Sequence, residues 1–338
     1  MPSIPRDRLA GAYLYYDATV DDARLVLTVA RTAAAHGAAV ANRCRVVEFL
    51  SDDDEHVGGA RVDTGETTID VTAKVVVNAT GVWADDLHRL EARASDDDPG
   101  ELEPTIRPAK GVHVSVPWEL VRNDIAAVVP VPDSKRTLFV VPWGQRPDGT
   151  YARTYIGTTD TDYDDRLDDP PCTADDIEYV LGAVNATIAE PIAADDLTGV
   201  WAGLRPLVRS ADSGRTADLS RQHRVSVGSG GVVAIGGGKL TTYREMAEDT
   251  VDVVAERLGD EPSSWWGRVT DRITRWRHRR GTRSLPLLGA ADFHEQTPGT
   301  TAAHLADRYG DRADEVETLI ADDPALGEAL VEGLPYLR

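Results

Sequence analysis

Two points at which an apolar strand runs through glycine into a polar helix constrain this chain more than any other sequence feature. The first is Asn78-Ala79-Thr80-Gly81, at the end of AKVVVNAT, and the second is Gly236-Gly237-Gly238-Lys239, after VVAI. Glycine lets the backbone approach a ligand closely, and the helix N-terminus that follows offers N–H groups to an anion or a carbonyl oxygen. The junctions predict parallel-type strands and two candidate binding loops, although each is also compatible with an ordinary tight turn.

Hydrophobic periodicity around the first junction predicts the neighbouring elements. Apolar residues in helical spacing predict a helix over residues 20–35, with Gly37 as its stop. Residues 38–49 and 60–63 are predicted strands on either side of an acidic, glycine-containing turn. The run at 73–80 is nearly continuous in apolar residues, which predicts a strand buried on both faces.

A change of pattern between residues 106 and 227 predicts a second domain. Short alternating strands occur in VHVSVP, TLFVVPW, TYIGTTD and HRVSV, and one helix begins after Thr173, a candidate N-cap. This pattern is typical of a mostly antiparallel sheet with inserted helices. After the second junction, Thr242 and Glu245 have the spacing of a capping box, which predicts the start of another helix. The fold class is therefore α/β (α+β).

Charge excludes one class of partner. Asp and Glu total 57 against 36 Lys and Arg, which gives a formal charge of −21. Such a surface repels nucleic acid, so no nucleic-acid partner is expected. The acids recur in short patches between apolar segments, which predicts an acidic folded surface and favours a salt-adapted, halophilic source over an ordinary acidic enzyme.

Cysteine content and hydropathy exclude further classes. Cys44 and Cys172 are the only cysteines and lie far apart in the sequence, which argues against disulfide, zinc and iron–sulfur sites. No apolar run approaches the ~20 residues that a membrane span needs. We therefore expect a cytoplasmic protein with no metal site.

Three cations and one histidine are the candidate site residues. Arg205 in AGLRPLV, Arg221 in LSRQHR and Lys239 in GGGKLTTYR stand out in so acidic a chain. Arginine suits bidentate contact with phosphate, although a salt bridge to a nearby carboxylate explains each cation taken alone. His113 alternates with valines on a predicted strand. A structural histidine is commoner there, but its pKa range also suits a base for a hydroxyl proton.

Taken in order, the segments of this chain resemble the FAD-dependent glycerol-3-phosphate dehydrogenases. Single motifs are shared with the wider D-amino-acid-oxidase-like superfamily, whereas IGTTD, GLRPL and GGKLTTYR in this order are specific to the glycerol-phosphate branch. The resemblance spans residues 6 to 259 and is carried by YYDATVDDARLV, VVNATGVWADDL, RPAKGVHVSVP, FVVPWG, TYIGTTDTDY, GLRPLV, LSRQHRV and GGGKLTTYREMAE.

The resemblance implies an activity and a role for each candidate. Family members oxidise sn-glycerol 3-phosphate to dihydroxyacetone phosphate, with hydride transfer to FAD and electrons passed to a quinone. Arg205 and Arg221 would hold the phosphate, and Lys239 would lie close to the flavin ring. His113, or a group near it, would accept the hydroxyl proton, with Arg205 also at the catalytic site. The alternatives are another FAD-dependent amine or hydroxy-acid oxidoreductase of the superfamily, and an inactive fragment that acts only as a subunit.

The resemblance also implies the flavin contacts and a departure from the family pattern. Thr158, Thr159 and Asp160 are expected near the active site. Family members begin with a βαβ unit carrying GxGxxG, which is absent from this sequence. The positions carried over as flavin contacts are Val46, Ala79, Thr80, Gly81, Gly237, Gly238, Lys239, Leu240 and Thr241.

The same comparison implies a division of the chain. Residues 1–105 with 228–260 form an incomplete, Rossmann-like FAD-binding domain, and residues 106–227 form the substrate-binding or cap domain. Residues 261–338 form a linker and a truncated helical C-terminal region. An incomplete sheet exposes apolar edges, so we expect partner subunits or a homodimer.

A basic segment after the second junction suggests a membrane contact. Residues 263–283 hold seven arginines and three of the seven tryptophans. Trp265, Val269, Ile273 and Trp276 share one helical face, which suits an interfacial helix on anionic lipid at the inner face of the cell membrane. A solvated segment neutralised by the protein's own acids and a frame-shifted insertion are the alternatives.

Overall fold

A computed structural model gives the fold. It describes residues 3–5, 7, 10–52, 56–95, 97–98, 100, 102–132, 134, 136–209, 222–259, 281–294, 296–331 and 336–338. Within these ranges the architecture is mixed α/β with antiparallel sheets and a helical C-terminal region, which confirms the predicted fold class.

The described elements are as follows in chain order. The strands are β1 (Arg45–Ser51), β2 (Val57–Asp63), β3 (Thr68–Thr72), β4 (Val77–Asn78), β5 (Ile106–Pro117), β6 (Ala127–Pro130), β7 (Thr137–Gln145), β8 (Tyr151–Gly157), β9 (Thr161–Asp162), β10 (Gly199–Val208), β11 (Arg224–Val227) and β12 (Val233–Gly236). The helices are α1 (Asp22–Ala35), α2 (Ala84–Ala94), α3 (Ala174–Asn185), α4 (Tyr243–Arg257), α5 (Thr301–Tyr309) and α6 (Ala313–Asp322).

The largest sheet is antiparallel throughout, as the alternating pattern predicts. Its strand order is β10-β5-β8-β7-β6, and β9 pairs with β5. The longest pairing joins β5 and β10 over ten residues, from Ser115 opposite Gly199 to Ile106 opposite Val208. One face packs against α3 and forms the main core, which includes Val114, Val116, Leu138, Val140, Ile156, Val180 and Val184. The opposite face is left to carry functional side chains.

A second sheet contains both glycine junctions. Strand β12 pairs in parallel with β4 and antiparallel with β11, so the HRVSV strand joins this sheet and not the largest one. The prediction of a strand over 73–80 buried on both faces is wrong. Only Val77 and Asn78 pair, and Val77 is 43% exposed because β4 lies at the edge of the described sheet order, with β12 as its neighbour there.

A third sheet, β1-β2-β3, packs beside α2. Phe49, Val57 and Val232 form a buried cluster against which Leu87 and Leu90 of α2 pack. The predicted strand at 38–49 begins only at Arg45 and continues to Ser51. Helix α1 begins at Asp22, two residues after its predicted start, and the carboxylate of its N-cap, Asp21, accepts from the Arg24 N–H at 3.0 Å.

A buried carboxylate fixes α2 against the turn between β11 and β12. Glu91 is 3% exposed, and its Oε1 accepts from the Val232 N–H at 3.0 Å. A Cβ on Gly228 would overlap the Glu91 carboxylate, so the glycine makes room for the carboxylate. Burial raises the pKa of Glu91 more than hydrogen bonds from the backbone of Val232 and Gly230 lower it. The sequence gives no sign of this contact, because the two residues are far apart along the chain.

A second carboxylate, Asp85, ties the start of α2 to the start of β5. Its Oδ1 accepts from the Thr105 hydroxyl at 2.6 Å, and its Oδ2 accepts from the Ile106 N–H at 3.2 Å. Burial alone raises the pKa of Asp85. Hydrogen bonds from His88, Thr105 and Ile106 outweigh burial and lower this pKa from 3.8 to about 2. Asp85 is therefore held in its charged form.

Helix α3 is capped and anchored through a single carboxylate. Thr173 is the N-cap, as predicted, and Asp176 completes a capping box by accepting from the Thr173 N–H at 2.9 Å. The same carboxylate accepts from Lys110 Nζ of β5 at 2.7 Å, and both side chains are less than one-tenth exposed. Burial raises the pKa of Asp176, but the Lys110 and Thr173 hydrogen bonds lower it overall. This buried ion pair holds α3 on the sheet.

Helix α4 begins where predicted, with Thr242 as its N-cap residue, but the predicted capping box is wrong, because Thr242 makes no side-chain capping hydrogen bond. A 3₁₀ turn, Leu240–Thr242, precedes the helix, which begins at Tyr243. The Thr242 hydroxyl donates to the Lys239 carbonyl at 3.0 Å, so this side chain closes the turn and does not cap the helix.

The helical C-terminal region packs against α1. Arg24 donates to the Arg308 carbonyl at 2.8 Å and stacks on the Tyr309 ring, and Arg308 pairs with Asp21 at 3.4 Å. No helix in the described ranges is long and apolar enough to cross a bilayer.

We predict that Lys110→Met lowers the free energy of unfolding by about 3 kcal/mol, because it leaves the Asp176 charge buried without its cation. Adding Asp176→Asn should recover part of this loss. Urea unfolding of both variants measures the effect, with the exposed Lys74→Met as the matched control. A loss for Lys110→Met no larger than that for Lys74→Met would contradict this account.

We predict that Asp85→Asn destabilises the protein by about 1–2 kcal/mol at pH 7, after discounting for partial solvent screening. A lowered pKa stabilises the folded state above the unfolded-state pKa, and this stabilisation is lost as the pH falls toward the folded-state value. The difference between wild type and variant should therefore shrink as the pH falls from 5 to 3. Urea midpoints measured across this range test it, with the more exposed Asp86→Asn as control.

Candidate functional site

The face of the largest sheet opposite α3 carries a row of directly paired residues on four strands. Trp201 lies opposite His113, His113 opposite Gly157, and Gly157 opposite Phe139. Directly opposed residues point to the same face of a sheet. This face is open: Trp201 is 42% exposed and Phe139 is 48% exposed.

Aromatic rings extend from His113 across the same face. The His113 and Trp201 rings are stacked, with centroids 5.2 Å apart and planes within 8°. Tyr155 meets Trp201 edge-on at 5.0 Å, and Trp143 lies 5.4 Å from Tyr155. The imidazole is therefore one end of a continuous chain of four rings.

Arg205 lies on the same face, beside His113. Its guanidinium crosses over Gly111, where a Cβ would overlap both terminal nitrogens. Gly111 precedes His113 by two residues on β5, so the two residues share a face. The guanidinium donates to the Thr158 hydroxyl at 3.2 Å and to the Thr159 carbonyl at 3.3 Å, and it lies 3.5 Å from Asp160. These contacts hold the positively charged guanidinium of Arg205 along the surface of the sheet.

The three residues after β8 thus have a definite place. Thr158, Thr159 and Asp160 all contact Arg205, and the buried Thr159 hydroxyl also accepts from the Val112 N–H at 2.9 Å. The segment therefore links the arginine to the strand that carries His113.

Electrostatics favour the neutral form of His113. Burial is the largest influence and lowers the pKa of His113 below 6.5, and the nearby charge of Arg205 lowers it further. Asp22, at the start of α1, acts in the opposite direction but is the weakest of the three. A neutral imidazole can accept a proton, which an imidazolium cannot.

The first glycine junction opens onto a cavity. The buried Asn78 holds the turn by donating to the Ala84 carbonyl at 3.0 Å and accepting from the Thr80 hydroxyl at 2.7 Å. Gly81 has a positive φ of 63°, and no atom lies within 4 Å of the place its Cβ would take. A cavity of about 440 Å³ lies here, lined in part by Thr80, Gly81, Trp83, Asp168 and Leu204.

The second glycine junction packs against the end of the β5–β10 pair. A Cβ on Gly236 would lie 3.0 Å from Ile106, and one on Gly237 would lie 2.7 Å from the Gln222 carbonyl. Gly237 and Gly238 have positive φ values of 73° and 77°. Part of the demand for glycine therefore comes from neighbouring protein segments, which the sequence pattern alone could not distinguish from a ligand.

The structure brings some predicted site residues together and leaves others apart. His113 and Arg205 are neighbours on one sheet face, whereas Lys239, Leu240 and Thr241 are exposed at the turn before α4. Ala79 and Thr80 are exposed at the first junction. Val46 packs beside the Phe49 cluster on β1. Arg221 lies outside the described residues, as do residues 263–280 of the basic segment.

The described groups fit part of a flavin site. The N–H groups at the start of a helix lack intrahelical partners, and a helical turn begins at each junction next to the exposed residues Thr80 and Lys239. The space over Gly81 can admit a ligand. Both features suit a cofactor with phosphates and carbonyl oxygens, although the residue assignments remain predictions.

Sequence reasoning missed the residues that shape this face. Trp201, Gly157 and Gly111 surround His113 and Arg205, yet none stood out in the sequence. A usable signal exists: Trp201, Gly203 and Arg205 alternate on β10 opposite His113, Gly111 and Ala109 on β5. Antiparallel register converts these two alternating sets into one surface, but register is not readable from a single strand.

Comparison with known proteins identifies relatives over the full chain. The glycerol-3-phosphate dehydrogenase 2 of Mycobacterium tuberculosis is 39% identical over 342 residues, covering 100% of this chain and 54% of the relative. The mitochondrial glycerol-3-phosphate dehydrogenase of Mus musculus is 34% identical over 353 residues, covering 100% and 45%. The chain thus spans about half the length of the curated relatives that it matches.

A solved structure and a family description agree with these relatives. The X-ray structure of the glycerol-3-phosphate dehydrogenase from Bacillus halodurans, complexed with FAD, matches 95% of this chain and 60% of its own with a TM-score of 0.71 and 30% identity. The model of the family described as FAD dependent oxidoreductase (DAO) matches residues 1–244. Because this match covers most of the sequence, the chain belongs to the DAO family of FAD dependent oxidoreductases.

Proposed function

We propose that this chain is the substrate-oxidising part of a glycerol-3-phosphate dehydrogenase, which converts sn-glycerol 3-phosphate to dihydroxyacetone phosphate. The proposal rests on one observation: on one open sheet face the His113 imidazole, whose pKa is lowered, lies beside the Arg205 guanidinium. An alcohol that bears a phosphate needs both a proton acceptor and a cation. The relatives named above support the same substrate.

The described side chains divide the work. His113 accepts the proton of the substrate C2 hydroxyl at an imidazole nitrogen. Arg205, positioned by Thr158, Thr159 and Asp160, binds the phosphate. With a formal charge of −21, the protein repels a phosphate dianion, so local cations must reverse that field. We assign this role to Arg205 together with Arg221 and Lys239.

The cofactor of the reaction is FAD, which accepts the substrate's two electrons as a hydride when bound. We assign its contacts to the two glycine junctions and to Val46 on β1. The residues assigned as flavin contacts are Val46, Ala79, Thr80, Gly81, Gly237, Gly238, Lys239, Leu240 and Thr241.

We further propose a quinone as the final acceptor. Because quinones are lipid-soluble, the basic segment 263–283 would supply a peripheral contact with anionic lipid. Binding to anionic but not to neutral liposomes, lost on deleting that segment, would support this contact.

The test of the proposal is spectroscopic. The protein, purified in molar salt with added FAD, should show the absorption bands of bound flavin, and anaerobic glycerol 3-phosphate should bleach them. Amino acids and simple hydroxy acids should leave the bands unchanged, since they lack the phosphate that Arg205 is proposed to bind. Bleaching by an amino acid in place of glycerol 3-phosphate would overturn the assignment in favour of another oxidoreductase of the superfamily.

We predict that Arg205→Ala raises the apparent Kd for glycerol 3-phosphate by about 30-fold or more, because a charge-assisted contact to phosphate is lost. Titration of flavin bleaching measures the change. Arg146→Ala removes an exposed arginine from the β7–β8 turn, where it pairs with Glu119, and serves as the matched control. Equal affinities for the two variants would remove Arg205 from the phosphate site.

We predict that kcat/KM falls on the acid side with a midpoint below pH 6.5, because His113 must be neutral and its pKa is lowered. His113→Asn should reduce kcat about 10²- to 10⁴-fold and abolish this limb. The second pKa of a phosphate ester is about 6 and gives a similar limb. If the limb persisted unchanged in His113→Asn, it would belong to the substrate and not to His113.

A further inference from the structure

The His113 ring is oriented by packing. Within the described chain the ring stacks on Trp201 and lies near the charges of Arg205 and Asp22, and no hydrogen bond to its nitrogens is seen there. Histidines that exchange protons are ordinarily held by a hydrogen bond from one ring nitrogen to a carboxylate or a carbonyl. Something else must fix this ring.

Trp201 supplies one side of the support. It lies directly opposite His113 in the β5–β10 register, and the two ring planes are within 8° of parallel. An indole face stacked on an imidazole restricts its rotation and removes water from that face. Trp201 is itself braced, since Tyr155 meets it edge-on at 5.0 Å.

Gly157 supplies the other side. It lies directly opposite His113 in the β5–β8 register, and a Cβ there would overlap the Cδ2 and Cγ atoms of the imidazole. The ring therefore occupies the space that a side chain at position 157 would fill. His113 is enclosed between an indole on one neighbouring strand and bare backbone on the other.

We propose that Trp201 is a positioning residue for His113, holding the imidazole against Gly157 so that both ring nitrogens stay available to the substrate. The inference rests on the proposed function, because it assigns His113 as the proton acceptor. The charged groups that face the ring are Arg205 from β10 and Asp22 from the start of α1, and neither fixes its plane. Within the part of the chain that the structure describes, orientation by stacking commits neither ring nitrogen to a protein acceptor.

The stacking of Trp201 on His113 also affects the protonation state of the imidazole. Burial is the largest influence that lowers the pKa of His113, and Trp201 covers one face of the ring. Removing the indole would expose the imidazole and move its pKa upward, toward 6.5. A change of ring plane and a change of pKa should therefore appear together.

The experiment compares Trp201→Leu with Trp201→Phe, which keeps an aromatic face. Trp143→Leu is the matched control, since Trp143 lies on the same sheet face but contacts Tyr155 and not His113. In FAD-loaded protein with isotope-labelled histidine, NMR follows the contact between the His113 ring and Gly157 Hα and the His113 pKa. Kinetics with glycerol 3-phosphate give kcat and KM separately.

We expect Trp201→Leu to lose the ring contact with Gly157, to raise the His113 pKa, and to lower kcat by about 10- to 100-fold with KM changed less than about threefold. Trp201→Phe should restore the contact and most of kcat, and Trp143→Leu should resemble wild type. Gly157→Ala should displace the ring from the other side, and the Trp201 pair remains decisive if that variant does not fold.

The proposal is overturned if Trp201→Leu keeps both the Gly157 contact and the wild-type pKa of His113. It is equally overturned if Trp143→Leu has the same effects, because the role would then be general packing. Failure of the proposed function looks different. In that case wild type does not oxidise glycerol 3-phosphate, yet the NMR comparison still decides whether Trp201 positions the ring.

Discussion

The ten-residue antiparallel pairing of β5 with β10 is the constraint on which the rest of the structure depends. It sets Trp201 opposite His113 and carries the Arg205 guanidinium over Gly111. At its far end it forms the surface on which the second glycine junction packs. A one-residue slip would reverse the face of every side chain on the slipped strand and separate the imidazole from the guanidinium.

Helices α2 and α3 are tied to neighbouring strands by buried or half-buried carboxylates. Asp85 fixes the start of α2 to the first residue of β5, and Asp176 fixes α3 to Lys110. Glu91 fixes the other end of α2 to the start of β12. Among the described residues, Glu91 and Asp176 are buried acids, and hydrogen bonds within the protein replace the water around their carboxylates.

Sequence patterns predicted the elements better than their connections. The alternating strands, the Thr173 cap and the two glycine junctions follow from local rules, and the structure contains each of them. The buried strand at 73–80 failed because an apolar run does not reveal how many neighbours it will have. His113 and Arg205 could be selected by residue type and family motif. The enclosure of His113 by Trp201 and Gly157 depends on register, which no single strand encodes.

The alternation of side chains along β5 has one last consequence. Lys110 faces α3 and Gly111 faces the site, so the buried ion pair and the floor beneath Arg205 are separated by the thickness of one strand. The attachment of α3 and the geometry of the site therefore share the backbone of β5. Lys110, which binds α3, and Gly111, which lies under the Arg205 guanidinium, are adjacent residues of β5. Substitutions in α3 are therefore expected to be compatible with the site only if they leave the backbone of β5 in place.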